Sequence, residues 1–152
     1  MKKVADSAIP YHAHQVFPND LNGQKTVFGG RAMELADRLA AVVAQRHSQR
    51  MCVTLSVDSM RFLAPVREGE TLVFKSAVNH VWNTSMEVGV KVMAVNFLTN
   101  EERHVVSAYF TFVALDENGK PTQIEPIVPE TDEEKRRYEE AGRRRQVRLQ
   151  NP

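Results

Sequence analysis

Residues 19–44, NDLNGQKTVFGGRAMELADRLAAVVA, change character halfway along. As far as Gly30 the stretch is rich in Asn and Gly, which tolerate positive φ and interrupt regular structure. From Arg31 the breakers stop, and Met33, Leu35, Ala36, Leu39, Ala40 and Ala44 favour a helix. The helix is expected from about Gly30 to His47. Gly29 and Gly30 therefore sit at or just before its N-terminus, where unpaired backbone N–H groups collect and the helix dipole favours negative charge. Neither glycine has a side chain, so a ligand can approach those amides closely.

Within this helix Glu34 precedes Arg38 by four residues, the favourable order for a solvent-facing ion pair. Asp37 has no such neighbour. Met33 and Ala41 flank it at four residues, Glu34 and Ala40 at three. A carboxylate among Met and Ala loses hydration unless something else pairs with it. Asp37 either lies on the wet edge of the helix or meets a partner from elsewhere in the fold.

On the N-terminal side, residues 11–17 read as a short strand ended by Pro18. His12 and His14 share a face there, but His47, His80 and His104 are scattered, so no metal site is expected. On the C-terminal side come four β-like stretches, residues 52–62, 71–82, 85–96 and 104–115. In the first, Val53, Leu55 and Val57 alternate against Thr54, Ser56 and Asp58. Met60 and Phe62 then continue on the other parity, which predicts a bulge near Ser59. Met86, Val88, Val90 and Val92 form an apolar face in the third stretch, and Val106, Ala108, Phe110 and Phe112 do so in the fourth. Asn83-Thr84 makes a tight turn between the second and third.

One strand, one long helix and four antiparallel-looking strands describe a curved sheet whose apolar face a single helix covers. The class is α+β with a hot-dog arrangement, and small Ala side chains let the sheet close on the helix. The domain is expected over residues 8–118, followed by a linker at 119–130 and a charged helical tail at 131–152. The tail sets acids four residues before bases at Asp132/Arg136, Glu133/Arg137, Glu139/Arg143 and Glu140/Arg144. This reads as a solvated, salt-laced helix. The competing reading gives Arg143, Arg144, Arg145 or Arg148 to a phosphate-bearing ligand.

At 152 residues the chain has room for one proper core, and 42% hydrophobic with 26% charged residues suits a soluble globular protein. A net charge of +1 supplies no bulk field for nucleic acid or an anionic membrane. No apolar run approaches a membrane span, no secretory signal is visible, and the one cysteine, Cys52, can form no intrachain disulfide. A cytoplasmic location is expected, with Cys52 structural at a strand start.

Several motifs resemble the acyl-CoA thioesterases (acyl-CoA hydrolases) of the hot-dog superfamily. They are Asp20-Leu21-Asn22, Phe28-Gly29-Gly30, and Met33 with Asp37, then residues 53–58, 61–69 and 83–88, followed by 110–114 and 128–131. The likeness runs through nearly the whole chain in order. It implies hydrolysis of acyl-CoA to free CoA and a carboxylic acid, with no cofactor. It also implies homodimers that share each active site and assemble into trimers of dimers. The catalytic pair carried over is Asn22 from one subunit and Asp37 from the other, with amides near Gly29 and Gly30 as oxyanion hole. Asp37 acts as general base on water or as a nucleophile giving an anhydride. Phe28, Gly29, Arg61 and the Asn83-Thr84-Ser85 turn are assigned to the substrate. Asp58 is the rival carboxylate, otherwise explained by the polar face of its strand. The alternative function is a non-catalytic module sensing acyl-CoA.

Overall fold

Alternating polarity builds five strands into one antiparallel sheet, and a single long helix lies across its inner face. The computed structural model describes residues 1–151. In chain order the elements are β1 (Lys2–Lys3), α1 (Val4–Ser7), β2 (Ile9–Gln15), a 3-10 turn (Pro18–Asp20), α2 (Gly29–Ser48), β3 (Met51–Phe62), β4 (Thr71–Val81), β5 (Ser85–Val95), β6 (Glu102–Leu115), β7 (Ile127–Val128) and α3 (Asp132–Gln150). The sheet order is β2-β4-β5-β6-β3, and β1 pairs in parallel with β7. The strand and helix boundaries agree with the sequence reading to within about three residues.

The helix buries Ala32, Ala36, Ala40, Val43 and Ala44 against Phe74, Val88, Val92, Phe110 and Phe112 of the sheet. Four of those five helical residues are alanine, which keeps the helix axis close to the strands. At its C-terminus Gln49 turns left-handed (φ 54°) and its amide donates the closing bond to the Gln45 carbonyl, and Lys2 Nζ donates to the His47 carbonyl at 2.6 Å. The N-terminal segment thus caps the helix that the sheet surrounds.

The bulge expected near Ser59 is present: register shifts between Asp58 and Arg61, and Ser59 has φ 54°. A second shift, between Thr54 and Ser56, was not expected. It leaves Thr54 opposite Phe112 on the inner face, whereas Val53 and Leu55 stand exposed on an edge strand. Two extra residues along one strand bend it and redirect its side chains.

The tail is not a solvated appendage. Its N-terminus is capped reciprocally by Thr131 and Glu134. The Glu133–Arg137 and Glu139–Arg143 pairs form at 3.4 and 3.9 Å, but Arg144 bypasses Glu140. Arg144 forks onto the fully buried Glu87 at 2.9 and 2.8 Å and stacks 3.6 Å above the Tyr109 ring. Arg145 reaches Ser85 Oγ and lies over Trp82, and Arg148 reaches Asp58 at 2.6 Å. His80 is stacked between Trp82 and Tyr138. Three arginines thus face the outer side of the sheet, because there they meet two carboxylates and two aromatic rings that a solvated helix would leave uncovered.

Candidate functional site

The loop leading into α2 is folded around one buried carboxylate. Asp20 accepts from the Phe17 amide at 3.0 Å, His14 Nε2 at 2.9 Å and Arg31 Nε at 2.9 Å. Burial works against its charge, but the Phe17 amide, His14 and Arg31 together hold its carboxyl below the usual range. His14 is thereby a structural partner. Asp20 also gives its carbonyl to the Phe28 amide at 2.8 Å, and the Val27 amide donates to Val66 at 2.7 Å, which fixes the entry to the helix.

Asn22 sits at the bend of this loop. Its Oδ1 accepts from the amides of Gln24 and Thr26, and its Nδ2 donates to Thr26 Oγ1 at 3.0 Å. Two backbone donors on the oxygen fix which end of the side chain is the amide, so one N–H of the exposed Asn22 is left to reach outward.

The helix opens without a side-chain cap. Arg31 and Ala32 both donate to the Phe28 carbonyl, at 3.0 and 3.2 Å. Among the described residues the Gly29 and Gly30 amides meet no acceptor, as the first positions of a helix require. A methyl group at Gly30 would come within 2.9 Å of the Phe28 ring, and one at Gly29 within 3.4 Å of Phe62. Two aromatic rings therefore crowd the approach to the free amides, and only glycine leaves them open.

Beside Gly29 lies an apolar cavity of about 420 Å³ walled by Val27, Ala32, Phe62, Leu63, Val66 and Val92. Arg103 holds its far wall in place: its guanidinium forks onto Glu70 at 2.5 and 2.8 Å and reaches the Pro65 carbonyl at 2.7 Å. That fork, opposed by burial and helped by the Arg67 amide, keeps the Glu70 carboxyl below its ordinary range.

Of the two alternatives for Asp37, the structure shows a partner from elsewhere in the fold. Thr54 Oγ1 donates to Asp37 Oδ1 at 2.8 Å, leaving Oδ2 free on a half-buried carboxylate. Sequence reasoning missed Thr54 because strict alternation put it on the polar face, and only the bulge beside it turns it inward. Its one signal was a hydroxyl in a strand that has to face the helix somewhere.

The structure therefore brings together Asn22, Phe28, Gly29 and Gly30 and leaves the other candidates apart. Asp37 stands eight residues along α2 from Gly29, about 12 Å of helix rise. Arg61 is registered with Ser107 on the outer face, whereas its neighbour Phe62 faces the helix. Asn83, Thr84 and Ser85 form the β4–β5 turn at the opposite end of the sheet, beside the Met51 end of β3. There the Asn83 carbonyl accepts from Ile124, that of Thr84 from Ala114, and Ser85 Oγ from Arg145. Asp58 is taken by Arg148. Cys52 is half-buried, with Sγ 3.2 Å from Ser48 Oγ, and burial pushes its thiol up, as befits an inert residue. Among the described residues no three metal-ligating side chains cluster, and no helix is long and apolar enough to cross a membrane.

Comparison with known proteins gives this geometry relatives. The thioesterase superfamily model matches residues 24–96. A Bacillus subtilis (strain 168) protein named uncharacterized acyl-CoA thioester hydrolase YkhA is 43% identical over 79% of this chain and 70% of its own. A structure described as an apo-hexameric acyl-CoA thioesterase superposes with a TM-score of 0.94 at 37% identity, covering 97% of this chain and 94% of that one. An acyl-CoA hydrolase from Staphylococcus aureus, solved with butyryl coenzyme A, coenzyme A and coenzyme A disulfide, superposes with a TM-score of 0.92 at 37% identity, covering 97% and 90%. That hydrolase has also been solved as single variants with an asparagine, an aspartate or a threonine replaced by alanine, the three spaced 15 and then 17 residues apart.

Proposed function

The chain belongs to the acyl-CoA thioester hydrolases of the thioesterase superfamily, and from that premise we propose how its residues divide the reaction. It hydrolyses acyl-CoA to free CoA and a carboxylic acid, and it is a homo-oligomer. The observation that carries the division is the separation along α2. Asp37 stands seven and eight residues along α2 from Gly30 and Gly29, roughly 10–12 Å of helix rise, too far for both ends to act on one thioester carbonyl. A second copy supplies what the first lacks.

The outer edge of β3 provides the means. It is twelve residues long, unpaired, and presents Met51 and Leu55, each 65% exposed. An edge of that length and polarity invites pairing with another chain. Antiparallel pairing about the middle of β3 sets the Phe62 end of one copy beside the Met51 end of the other. Gly29 stands near Phe62, and Asp37 is bonded to Thr54. Asn22, Gly29 and Gly30 of one copy then meet Asp37 and Thr54 of the other. The same spacing of asparagine, aspartate and threonine in the S. aureus variants supports this set of residues. Dimers of this kind joined in threes give the hexamer described for a relative. We place the protein in the cytoplasm.

Thr54 holds Asp37 in one rotamer with Oδ2 directed into the cleft. Oδ2 takes a proton from water as the water oxygen bonds to the thioester carbon. The carbonyl oxygen gains the negative charge, and the two glycine amides at the start of the second copy's helix stabilise it. Collapse breaks the carbon–sulfur bond, the fatty acid departs, and the proton on Asp37 passes to the CoA sulfur. The outward N–H of Asn22 orients the thioester or the water. The acyl chain enters the apolar cavity beside Gly29, and Phe28 lies at the mouth where the CoA arm leaves.

Thiol release from a panel of acyl-CoAs tests the assignment. Asp37→Ala is expected to lower kcat roughly 10²-fold or more, and Thr54→Val roughly tenfold with Thr54→Ser near wild type. Full activity in Asp37→Ala overturns the mechanism.

A further inference from the structure

The loop between β3 and β4, residues 63–70, walls the cavity beside Gly29 without a helix or strand of its own. Leu63, Ala64, Pro65 and Val66 are its contribution to that wall. Backbone bonds tie it to its neighbours: the Leu63 amide donates to Val105 at 2.8 Å, the Val27 amide to Val66 at 2.7 Å, and the Val16 amide to Glu70 at 3.1 Å. The rest of the loop is gathered by Arg103 of β6. Its guanidinium forks onto Glu70 and takes the Pro65 carbonyl, two acceptors five residues apart, while Glu70 Oε1 also accepts from the Arg67 amide at 2.9 Å. Among the described residues no other side chain outside the loop bonds to it. An exposed ion pair alone is worth little, but the Glu70 side chain is only 15% exposed, and a planar fork that also meets a carbonyl fixes geometry as well as charge.

Opposite the loop, the cavity floor crosses three strands, from Val106 of β6 past Val92 of β5 to Leu72 of β4. Two strand spacings make roughly 10 Å. At about 1.25 Å of advance per carbon–carbon bond, an extended chain of roughly eight carbons covers that distance. Such a chain gains from burial only where atoms pack on both of its sides, since a gap of about 1 Å already forfeits much of the contact. The floor belongs to a hydrogen-bonded sheet and is rigid. The wall belongs to a loop, and it is as firm as the bonds that hold it.

We propose that Arg103 is a positioning residue that sets the acyl-chain selectivity of this enzyme, by holding residues 63–70 against a medium-length acyl chain of up to about eight carbons. This deepens, and rests on, the placement of the acyl chain in the cavity beside Gly29. Arg103 acts through Pro65 and Glu70 and touches neither the thioester nor the reacting water. Without it the Pro65 carbonyl and the Glu70 carboxylate lose their shared donor, and the wall moves off the chain. Lysine keeps the charge but not the fork, so it serves one of the two acceptors at a time.

Thiol release from acetyl-, butyryl-, octanoyl- and dodecanoyl-CoA by the full-length protein tests this. For the wild type, kcat/KM should rise by up to roughly fourfold per methylene, the equivalent of burying one CH₂, and stop rising beyond about eight carbons. Arg103→Met should lower the octanoyl-to-acetyl ratio of kcat/KM by roughly tenfold or more, mainly through a raised KM for octanoyl-CoA. That ratio cancels any loss common to both substrates, and an ion pair that only stabilised the fold would lower Tm without moving it. Arg103→Lys should fall between the two, and it carries the test if Arg103→Met does not fold. A wild-type ratio near one shows that the acyl chain does not use the cavity, and overturns the placement of the chain together with the role of Arg103. A high wild-type ratio retained by every folded variant overturns the role of Arg103 alone.

Discussion

Replacing Arg144 with Met removes both bonds that neutralise Glu87, a carboxylate with no exposed surface. Only Asn79 Nδ2, at 2.9 Å, stays with it. Removing one partner of a buried ion pair costs about 3–5 kcal/mol, because the remaining charge is left uncompensated. The Arg144 side chain is 20% exposed, so water reaches the gap and the lower part of that range applies. Loss of the stack on Tyr109 adds about 0.5–1 kcal/mol. A total of roughly 3–4 kcal/mol, at about 2–4 °C per kcal/mol for a domain of this size, lowers Tm by roughly 6–15 °C. Scanning calorimetry or circular dichroism measures it. Arg136→Met is the control: its pairs with Glu133 and Glu140 are solvent-exposed, and its loss should move Tm by less than about 2 °C. Glu87→Gln in the Arg144→Met background should recover most of the loss. An Arg144→Met protein within 2 °C of wild type, or an equally damaging Arg136→Met, would refute the reading of α3 as locked to the sheet by buried charge.

The remaining predictions concern pH and metal. Burial holds His47 and His80 below the ordinary imidazole value of 6.5, against the pull of the Glu125 and Tyr138 carbonyls, so the folded chain refuses a proton that the unfolded chain accepts. Stability should therefore be complete above about pH 6.5 and fall as pH drops below it; His47→Gln should flatten that slope in denaturant titrations, and an unchanged slope would contradict it. Hydrolysis should survive exhaustive treatment with chelator, since a thioester needs no Lewis acid; activity lost to chelator and restored by a divalent ion would contradict this.

Much of the fold was legible because its determinants are periodic. The switch from Asn and Gly to helix formers at Arg31 placed α2, and the parity change at Met60 placed a bulge. The alternation of Val88, Val90 and Val92 assigned the inner face. What was not legible depends on contacts distant in sequence. No local pattern shows that Arg144 belongs to Glu87 rather than to Glu140, since both are acids within reach of a helical arginine, and only the fold brings one of them. Thr54 was hidden by a bulge with no Gly or Pro to mark it. At the site, the free amides at Gly29 and Gly30 followed from helix physics alone. Asp37 stood out as an unusual carboxylate, but its partner came from a strand. The Asn83–Ser85 turn was assigned to the substrate by resemblance alone, and within one chain it lies at the end of the sheet away from Gly29.

The most direct test of a site shared between two copies is complementation. Asn22→Ala and Asp37→Ala proteins, each inactive alone, are mixed in equal amounts and allowed to exchange subunits, with exchange followed by native mass spectrometry. Random exchange makes about half of the dimers mixed, and each mixed dimer carries one site with both residues intact. Thiol release should then rise to about a quarter of the wild-type rate per chain. Proven exchange with no recovery of activity would mean that Asn22 and Asp37 do not act together across two chains.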